Sequence, residues 1–282
     1  MYATSAGSTC SRRTKPPVPE GHTIHRLARD HGALLLGREV SLSSPQGRFD
    51  AGAALLSGRV LESIEPYGKH LFYAFEGEVL LHVHLGLYGK WTTGFGSPPL
   101  PRGALRVRMT TGDAWLDLRG PTACEVYSPP EKAAVLARLG PDPLRRDGDQ
   151  LRAWTRISRS KASIGQLLMD QAVLAGIGNV YRAELLFRAG LSPFTAGRDV
   201  SQGTWEALWE DTRTVMRAGV KAGRIVTTAR EDRTRVSGRV SREDSHYVYR
   251  RAGRECRRCG AEVRTQVMAA RNLFWCPHCQ PA

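Results

Sequence analysis

The chain has 282 residues, enough for two modest domains with cores of their own, and 41% of them are apolar, which excludes a disordered chain. Lys and Arg outnumber Asp and Glu by 41 to 27, a formal charge of +14. Gathered on one face, that excess favours phosphate contacts and polyanionic partners. No apolar run approaches the roughly 18 residues of a membrane span, and the basic stretch Met1 to Val18 lacks the hydrophobic segment of a secretory signal. The expected location is the cytoplasm.

From Gly21 to Leu36 the apolar residues Ile24, Leu27, Ala28, Leu34 and Leu35 recur at helical spacing, which predicts one amphipathic helix with Glu20 at its first turn. From Arg38 to about Tyr127, short Val- and Leu-containing runs alternate with Gly and Pro, as in "LFYAFEGEVLLHVHLG" and "RVRMTTGDAWLDL". This pattern predicts a β-sandwich or barrel-like sheet, with a hairpin turn at "EGE". "LGPDPLRRDGD" (Leu139 to Asp149) is rich in Pro, Gly and charge and reads as the start of an inter-domain linker. Beyond it the pattern is helical until about Met216. The basic stretch Gly223 to Arg242 has little periodicity and is expected to be a mobile loop.

Within the helical part, "SIGQLLMDQAVLAGIGNVYRAELLFRAGLSP" gives two helices broken at "AGIG", packed through Leu167, Leu168, Leu185 and Leu186. Asn179 follows Gly178 and is placed as the N-cap of the second helix. Turn amides and a helix N-terminus make a natural phosphate seat, to which Asn179 adds a side-chain donor. Taken alone, the same pattern describes an ordinary helical hairpin.

Of six cysteines, Cys10 and Cys124 stand alone and four cluster as Cys256-x2-Cys259, then 16 residues, then Cys276-x2-Cys279. Two close pairs point to metal rather than to a disulfide framework, and four thiolates suit tetrahedral Zn²⁺. The intervening "EVRTQVMAARNLFW" reads as two short strands, giving a zinc-stapled β-hairpin. Such a finger can be purely structural. Arg271 at its turn is shaped to enter a groove or grip a phosphate, although a solvated turn residue would look the same.

"PEGHTIHRLA" (Pro19 to Ala28), "YGKHLF" around Lys69, "HVHLGLYG" around His84, "MDQAVLAGIGNVYRAELLF" and the finger ending "CPHCQ" occur in one order along the chain. Together they resemble the formamidopyrimidine-DNA glycosylase and endonuclease VIII family from Pro19 to the end. "PEG" and "LRGPT" (Leu118 to Thr122) lean toward the endonuclease VIII branch and its actinobacterial forms. The resemblance implies an α+β protein. An N-terminal β-sandwich domain flanked by helices (19–138) is followed by a linker (139–158), a helix–two-turn–helix domain (159–250) and the four-cysteine finger (251–282). Residues 1–18 would be an extension foreign to the mature enzyme.

The implied activity is a bifunctional DNA glycosylase/AP lyase that removes oxidised bases, pyrimidines before purines, and cuts the strand by β,δ-elimination. A secondary amine attacking the sugar C1′ can form an iminium that leads to strand cleavage. Pro19 matches the family's nucleophile and Glu20 the acid that protonates the opened sugar. Lys69 matches the lysine of β-elimination and Arg271 the finger arginine of δ-elimination. Asn179 matches a phosphate ligand, Arg119 lies in the branch's "LRGPT" stretch as a DNA-binding residue, and Leu87 and Tyr88 match the wedge filling the gap left by an extruded base. Cys256, Cys259, Cys276 and Cys279 would hold one structural Zn²⁺, and the partner would be double-stranded DNA bound by a monomer.

Two departures stand out. Thr23 occupies the position of the family's second carboxylate. Pro19 is preceded by 18 residues, and within a chain its nitrogen is an amide that cannot attack a sugar. The expectation is therefore that translation starts at Val18 and that initiator removal exposes Pro19. Three alternatives remain open from sequence: an oxidised-purine glycosylase, a catalytically silent DNA-binding homologue, and a zinc-ribbon component of transcription or ribosomes.

Overall fold

A computed structural model describes residues 19–281, so the expectation for the extension 1–18 lies outside the described residues. Helix α1 (Gly21–Leu35) buries Ile24, Ala28 and Leu35, the face its periodicity predicts. Eight strands follow: β1 (Glu39–Ser43), β2 (Arg59–Tyr67), β3 (His70–Phe75), β4 (Val79–His84), β5 (Lys90–Phe95), β6 (Leu105–Thr110), β7 (Ala114–Arg119) and β8 (Ala123–Tyr127), with the short helix α2 (Asp50–Leu56) between β1 and β2.

Their order is β5-β7-β6-β1-β2-β3-β4-β8, every pair antiparallel. β1 is the joint. Its residues Glu39 and Val40 pair with β2, whereas Ser41 to Ser43 pair with β6. The two four-stranded halves therefore face each other across a shared core of Val40, Leu42, Leu61, Leu71, Val83, Val107, Leu116 and Leu118. This is the predicted sandwich, its alternating apolar residues pointing inward.

After α3 (Pro129–Ala137), the second unit consists of α4 (Gln150–Ile157), α5 (Ile164–Leu167), α6 (Asn179–Arg188) and α7 (Gln202–Ala222), around Ile157, Ile164, Leu186, Trp205 and Met216. The stretch 139–158 joins the two units without hanging free. Leu139 and Asp142 are buried, the Gly140 amide bonds to the Gln171 carbonyl, and α4 contributes Ala153 and Ile157 to the helical core.

The stretch 223–242 contains no helix or strand, and it is tied down at its start and middle, with Arg224 also donating to the Val240 carbonyl at 2.6 Å. The Thr227 hydroxyl donates to Glu184, the Thr228 hydroxyl donates to the Asp244 carbonyl at 2.6 Å, and Thr234 bonds to the Asp244 carboxylate. The finger follows with β9 (Arg264–Met268) and β10 (Arg271–Trp275), which pair across a two-residue turn. Ala269 and Ala270 both have positive φ, 52° and 55°, the mirror-image turn that suits the twist of a tight hairpin. Phe274 and Val263 seat the finger on Phe187 of α6 and on Tyr247 and Val248.

Candidate active site and DNA interface

Glu20 is the N-cap residue of α1, yet its side chain does not cap α1. It crosses to α6 instead. Its carboxylate accepts from the amides of Gly178 (2.9 Å), Val180 (2.9 Å) and Tyr181 (3.3 Å), and it is 1% exposed. Those amides are the unpaired donors that begin a helix, and the helix dipole adds to their attraction for an anion. Glycine is required at the approach, since a Cβ on Gly178 would collide with the Glu20 carboxyl group. Burial nevertheless raises the Glu20 pKa, while Lys69 and the three amides pull it down. The result is a carboxyl group with raised proton affinity, as a general acid needs.

The "AGIG" turn is where the two units meet. Gly176, with φ of +92°, lies against Gly21 of α1 and Gly68 of the β2–β3 turn, and a Cβ there would stand 3.4 Å from both Cα atoms. The Gly21 amide donates to the Gly176 carbonyl at 2.8 Å. Three chain segments thus converge through residues without side chains, bringing Pro19, Glu20, Lys69 and the start of α6 together. Lys69 is half-buried. Burial and the Arg271 guanidinium lower its pKa, opposed by Glu20. Its turn is held by Asp142, a fully buried carboxylate that accepts from the Gly68 amide (2.7 Å), His25 Nε2 (2.7 Å) and the Leu144 amide (2.9 Å).

Asn179 is not the N-cap predicted for it. Gly178 takes that position in extended conformation, and Asn179 is the first residue of α6. The reason is Glu20, which already satisfies the amides that an Asn cap would serve. Freed from capping, Asn179 donates from Nδ2 to the Asn272 carbonyl of β10 at 2.9 Å and accepts from Arg182. Arg182 is fully buried and also donates to the Met268 carbonyl at 3.1 Å. Together they fasten the finger hairpin to α6. Arg271 is exposed at the start of β10, and its charge is felt at Lys69. Glu20, Lys69, Asn179 and Arg271 therefore border one region.

Leu87 and Tyr88 form a second group in the turn between β4 and β5. They are 38% and 82% exposed, as side chains free to enter DNA would be. The strand β4 before it ends at His84, whose pKa is lowered by burial and by the nearby Lys69 charge. Arg119 at the end of β7 is largely committed within the protein. It donates to the buried Asp117 carboxylate at 2.9 Å and to the Thr92 hydroxyl at 3.0 Å. Thr23 is half-buried and lies beside its neighbour His22, with 3.3 Å between its hydroxyl and His22 Nε2.

The four predicted metal ligands come together, with sulfur atoms within 4.8 Å of one another. Four thiolates at that spacing fit one tetrahedral Zn²⁺, which is the structural ion of the finger. Asp142, Arg182 and Glu184 escaped sequence reading. Asp142 sat in a segment read as linker, and the other two in a helix where polar residues ordinarily face solvent.

A sheet unit and a helical unit meet at a buried carboxylate, with a four-cysteine hairpin beside them, and three family models span that arrangement. Residues 18–123 match the formamidopyrimidine-DNA glycosylase N-terminal domain, 139–231 the formamidopyrimidine-DNA glycosylase H2TH domain, and 253–282 the zinc finger found in FPG and IleRS. The chain is 48% identical over 267 residues to Endonuclease 8 1 of Mycobacterium tuberculosis, covering 93% of this chain and 100% of that one. It is 31% identical over 284 residues to formamidopyrimidine-DNA glycosylase of Acidothermus cellulolyticus, covering 94% and 97%. It shares the fold of Lactococcus lactis Fpg solved with abasic-site DNA, with a TM-score of 0.78, 21% identity and coverage of 93% and 100%. The chain belongs to the formamidopyrimidine-DNA glycosylase and endonuclease VIII family, and it is a DNA-binding glycosylase/AP lyase of base excision repair. Among the described residues, no helix is long and apolar enough to cross a membrane.

Proposed function

We propose that this enzyme excises oxidised pyrimidines from double-stranded DNA as a monomer, through a Schiff base on Pro19. The Pro19 nitrogen attacks C1′, Glu20 gives its proton to the sugar oxygen as the ring opens, and the base leaves with the glycosidic electron pair and the proton that the Pro19 nitrogen gives up. The resulting iminium acidifies the 2′ position, and loss of that proton expels the 3′ phosphate, with Lys69 serving the proton transfers. Arg271 assists the second elimination, and Asn179 contributes to the phosphate seat at the head of α6. Leu87 and Tyr88 fill the gap left by the extruded base. Arg119, bound to Asp117, braces the strand beside that wedge and reaches DNA only with its exposed edge. The net positive charge of the chain favours residence on the nucleoid.

The observation carrying this reading is Glu20, buried, with raised proton affinity and clamped on α6 immediately after Pro19. Preference for pyrimidines is supported by the closer likeness to a protein called Endonuclease 8 1 than to a formamidopyrimidine-DNA glycosylase. The reading requires a free Pro19 amine, hence a mature chain beginning there. Borohydride reduction with an abasic or oxidised-pyrimidine duplex should trap a covalent adduct with the chain that starts at Pro19, and Pro19→Gly should reduce it heavily. Equal trapping by a chain retaining residues 1–18 would make another amine the nucleophile. A duplex carrying an oxidised purine, excised faster than the pyrimidine duplex, would reverse the proposed preference.

A further inference from the structure

The outer face of β3, β4 and β8 carries a ladder of rings that the reaction above does not use. His70 stands opposite His84, Phe72 opposite His82, and His82 opposite Glu125. The His82 ring stacks on His70, Phe72 and Tyr127 with centroids 5.2, 4.9 and 4.6 Å away, and His84 leans on His70 at 5.0 Å. Hydrocarbon rings would fill this space equally well. Histidine adds polarity, because His70 Nδ1 lies 2.9 Å from His82 Nε2.

The other nitrogen of His82, Nδ1, is buried and faces Glu125 Oε2 at 3.5 Å, with no closer partner among the described residues. Glu125 is half-exposed at the far end of the ladder and also accepts from the Tyr127 hydroxyl at 3.1 Å.

A neutral imidazole has one N–H and one lone pair, so only one polarity satisfies this chain. The Glu125 carboxylate faces His82 Nδ1 across 3.5 Å without closing a hydrogen bond, and its charge favours the N–H on that side; His82 Nε2 then holds the lone pair and accepts from His70 Nδ1–H. The remaining His70 nitrogen is then unprotonated. His70 follows Lys69 directly in sequence and packs on His84, whose proton affinity the Lys69 charge lowers. The groups acting on His70 are His84, His82, Arg138 and Lys69, and Lys132 lies 5.5 Å over the Phe72 ring. Burial, then these like charges, hold the His70 pKa down to about 3, and burial holds His82 at about 4 against the pull of Glu125.

We propose that Glu125, His82 and His70 form a tautomer-fixing chain of positioning residues that holds the ring next to Lys69 in one tautomer and one orientation during β-elimination. Burial keeps both rings uncharged, and the chain fixes their tautomers and so the end of the strand from which the Lys69 turn springs. The kinetic part of this inference rests on the reading of Lys69 given above, and the tautomers can be observed without DNA.

In the intact, zinc-loaded protein at neutral pH, nitrogen-15 correlation spectra should show His70 and His82 as Nδ1–H tautomers. Glu125→Leu should leave His82 a mixture of tautomers. It should also slow β-elimination on a pre-formed abasic duplex by on the order of tenfold, the lower end of what losing the carboxylate behind a metal-bound histidine costs, with KM unchanged. Glu125→Gln keeps a carbonyl acceptor and should restore both signals. His82→Phe preserves the stack, cuts the chain and should reproduce the kinetic loss. An Nε2–H tautomer at His82 in the unaltered protein, or unaltered elimination in both Glu125→Leu and His82→Phe, would overturn the proposal. Failure of the Lys69 reading would appear differently, as a Lys69→Ala enzyme with undiminished β-elimination and an intact tautomer pattern.

Discussion

Helix α6 engages two buried carboxylates, and they look alike until their surroundings are compared. Glu20 is 1% exposed and accepts three backbone amides at the head of the helix. Glu184, within the same helix, is 0% exposed and accepts the amides of Tyr247 (2.7 Å), Val248 (2.9 Å) and Tyr249 (2.8 Å) plus the Thr227 hydroxyl. Both are clamps. The difference is what lies beside them. Glu20 follows Pro19 and shares its surroundings with Lys69, which responds in turn to Arg271. Glu184 is enclosed by Phe187, Tyr247 and the root of the finger. Burial and amide ligation are therefore common to both, and the proposed role of Glu20 as the acid rests on Pro19 and Lys69 alongside it.

The comparison is tested most sharply by substituting each acid. Glu20→Gln should keep the shape of the site and lower base excision by about 10²–10⁴-fold, the usual contribution of a general acid, while binding to abasic-site DNA is largely retained. The check is single-turnover excision beside a binding titration. Activity near that of the parent would demote Glu20 to a second structural clamp. Glu184→Ala should behave in the opposite way. It strands several buried amides, each costing about 1–3 kcal/mol when unsatisfied, so unfolding should occur at markedly lower denaturant concentration. The metal ligands stay in place, and activity per folded molecule should survive better than in Glu20→Gln.

Much of this was legible in sequence, for reasons that separate the two acids again. The sandwich followed from alternation, the helices from apolar spacing, and the finger from two Cys-x-x-Cys pairs, all of them local signals. Glu20 was found because "PEG" stands in order with other motifs. Glu184 sits in "RAELL", where nothing local distinguishes a buried clamp from a solvated helix residue. Asp142 was hidden for a related reason. Its partners His25 and Gly68 are 117 and 74 positions away, and Pro, Gly and charge around it read as linker. The Asn179 N-cap expectation failed because a carboxylate from another domain had taken those amides. Long-range polar contacts leave no periodicity to read.

Acid should probe both ends of α6 together. His22, beside Tyr181 near the Glu20 end, is held at about 4 by burial, and His246 near Glu184 is also lowered by burial. His31, His70 and His82 are lowered by burial to about 3, 3 and 4. A histidine with depressed folded-state pKa favours the folded protein fully above its ordinary value of 6.5. As pH falls from there toward 4, the unfolded chain gains protons that the folded one refuses, and stability is lost. Urea midpoints should fall steadily across that window. A flat profile would mean that these rings are solvated and that the buried polar packing at both ends is wrong.

The smallest expected effect concerns Arg271, which stands at the finger tip on the Glu20 side. Arg182 and Asn179 already hold the hairpin to α6 through the Met268 and Asn272 carbonyls, so the fold does not need the Arg271 side chain. Arg271→Ala should keep zinc and shift stability by no more than about 0.5 kcal/mol, as surface changes usually do. Its guanidinium is exposed, and if it grips a phosphate beside the lesion as proposed, losing that contact should flatten the salt dependence of binding by about one unit of slope. On a pre-formed abasic site the products should shift from the δ- toward the β-eliminated end. Asn179→Ala is the informative companion, because it removes both the proposed phosphate donor and a tie to β10. It should weaken binding and loosen the finger without selectively changing the product type. A denaturing gel of end products across a salt series, run on both variants, separates the two roles. If Arg271→Ala gives parental products and an unchanged slope, the finger arginine belongs with Glu184 among the scaffold residues, and the second elimination must draw its cation from elsewhere.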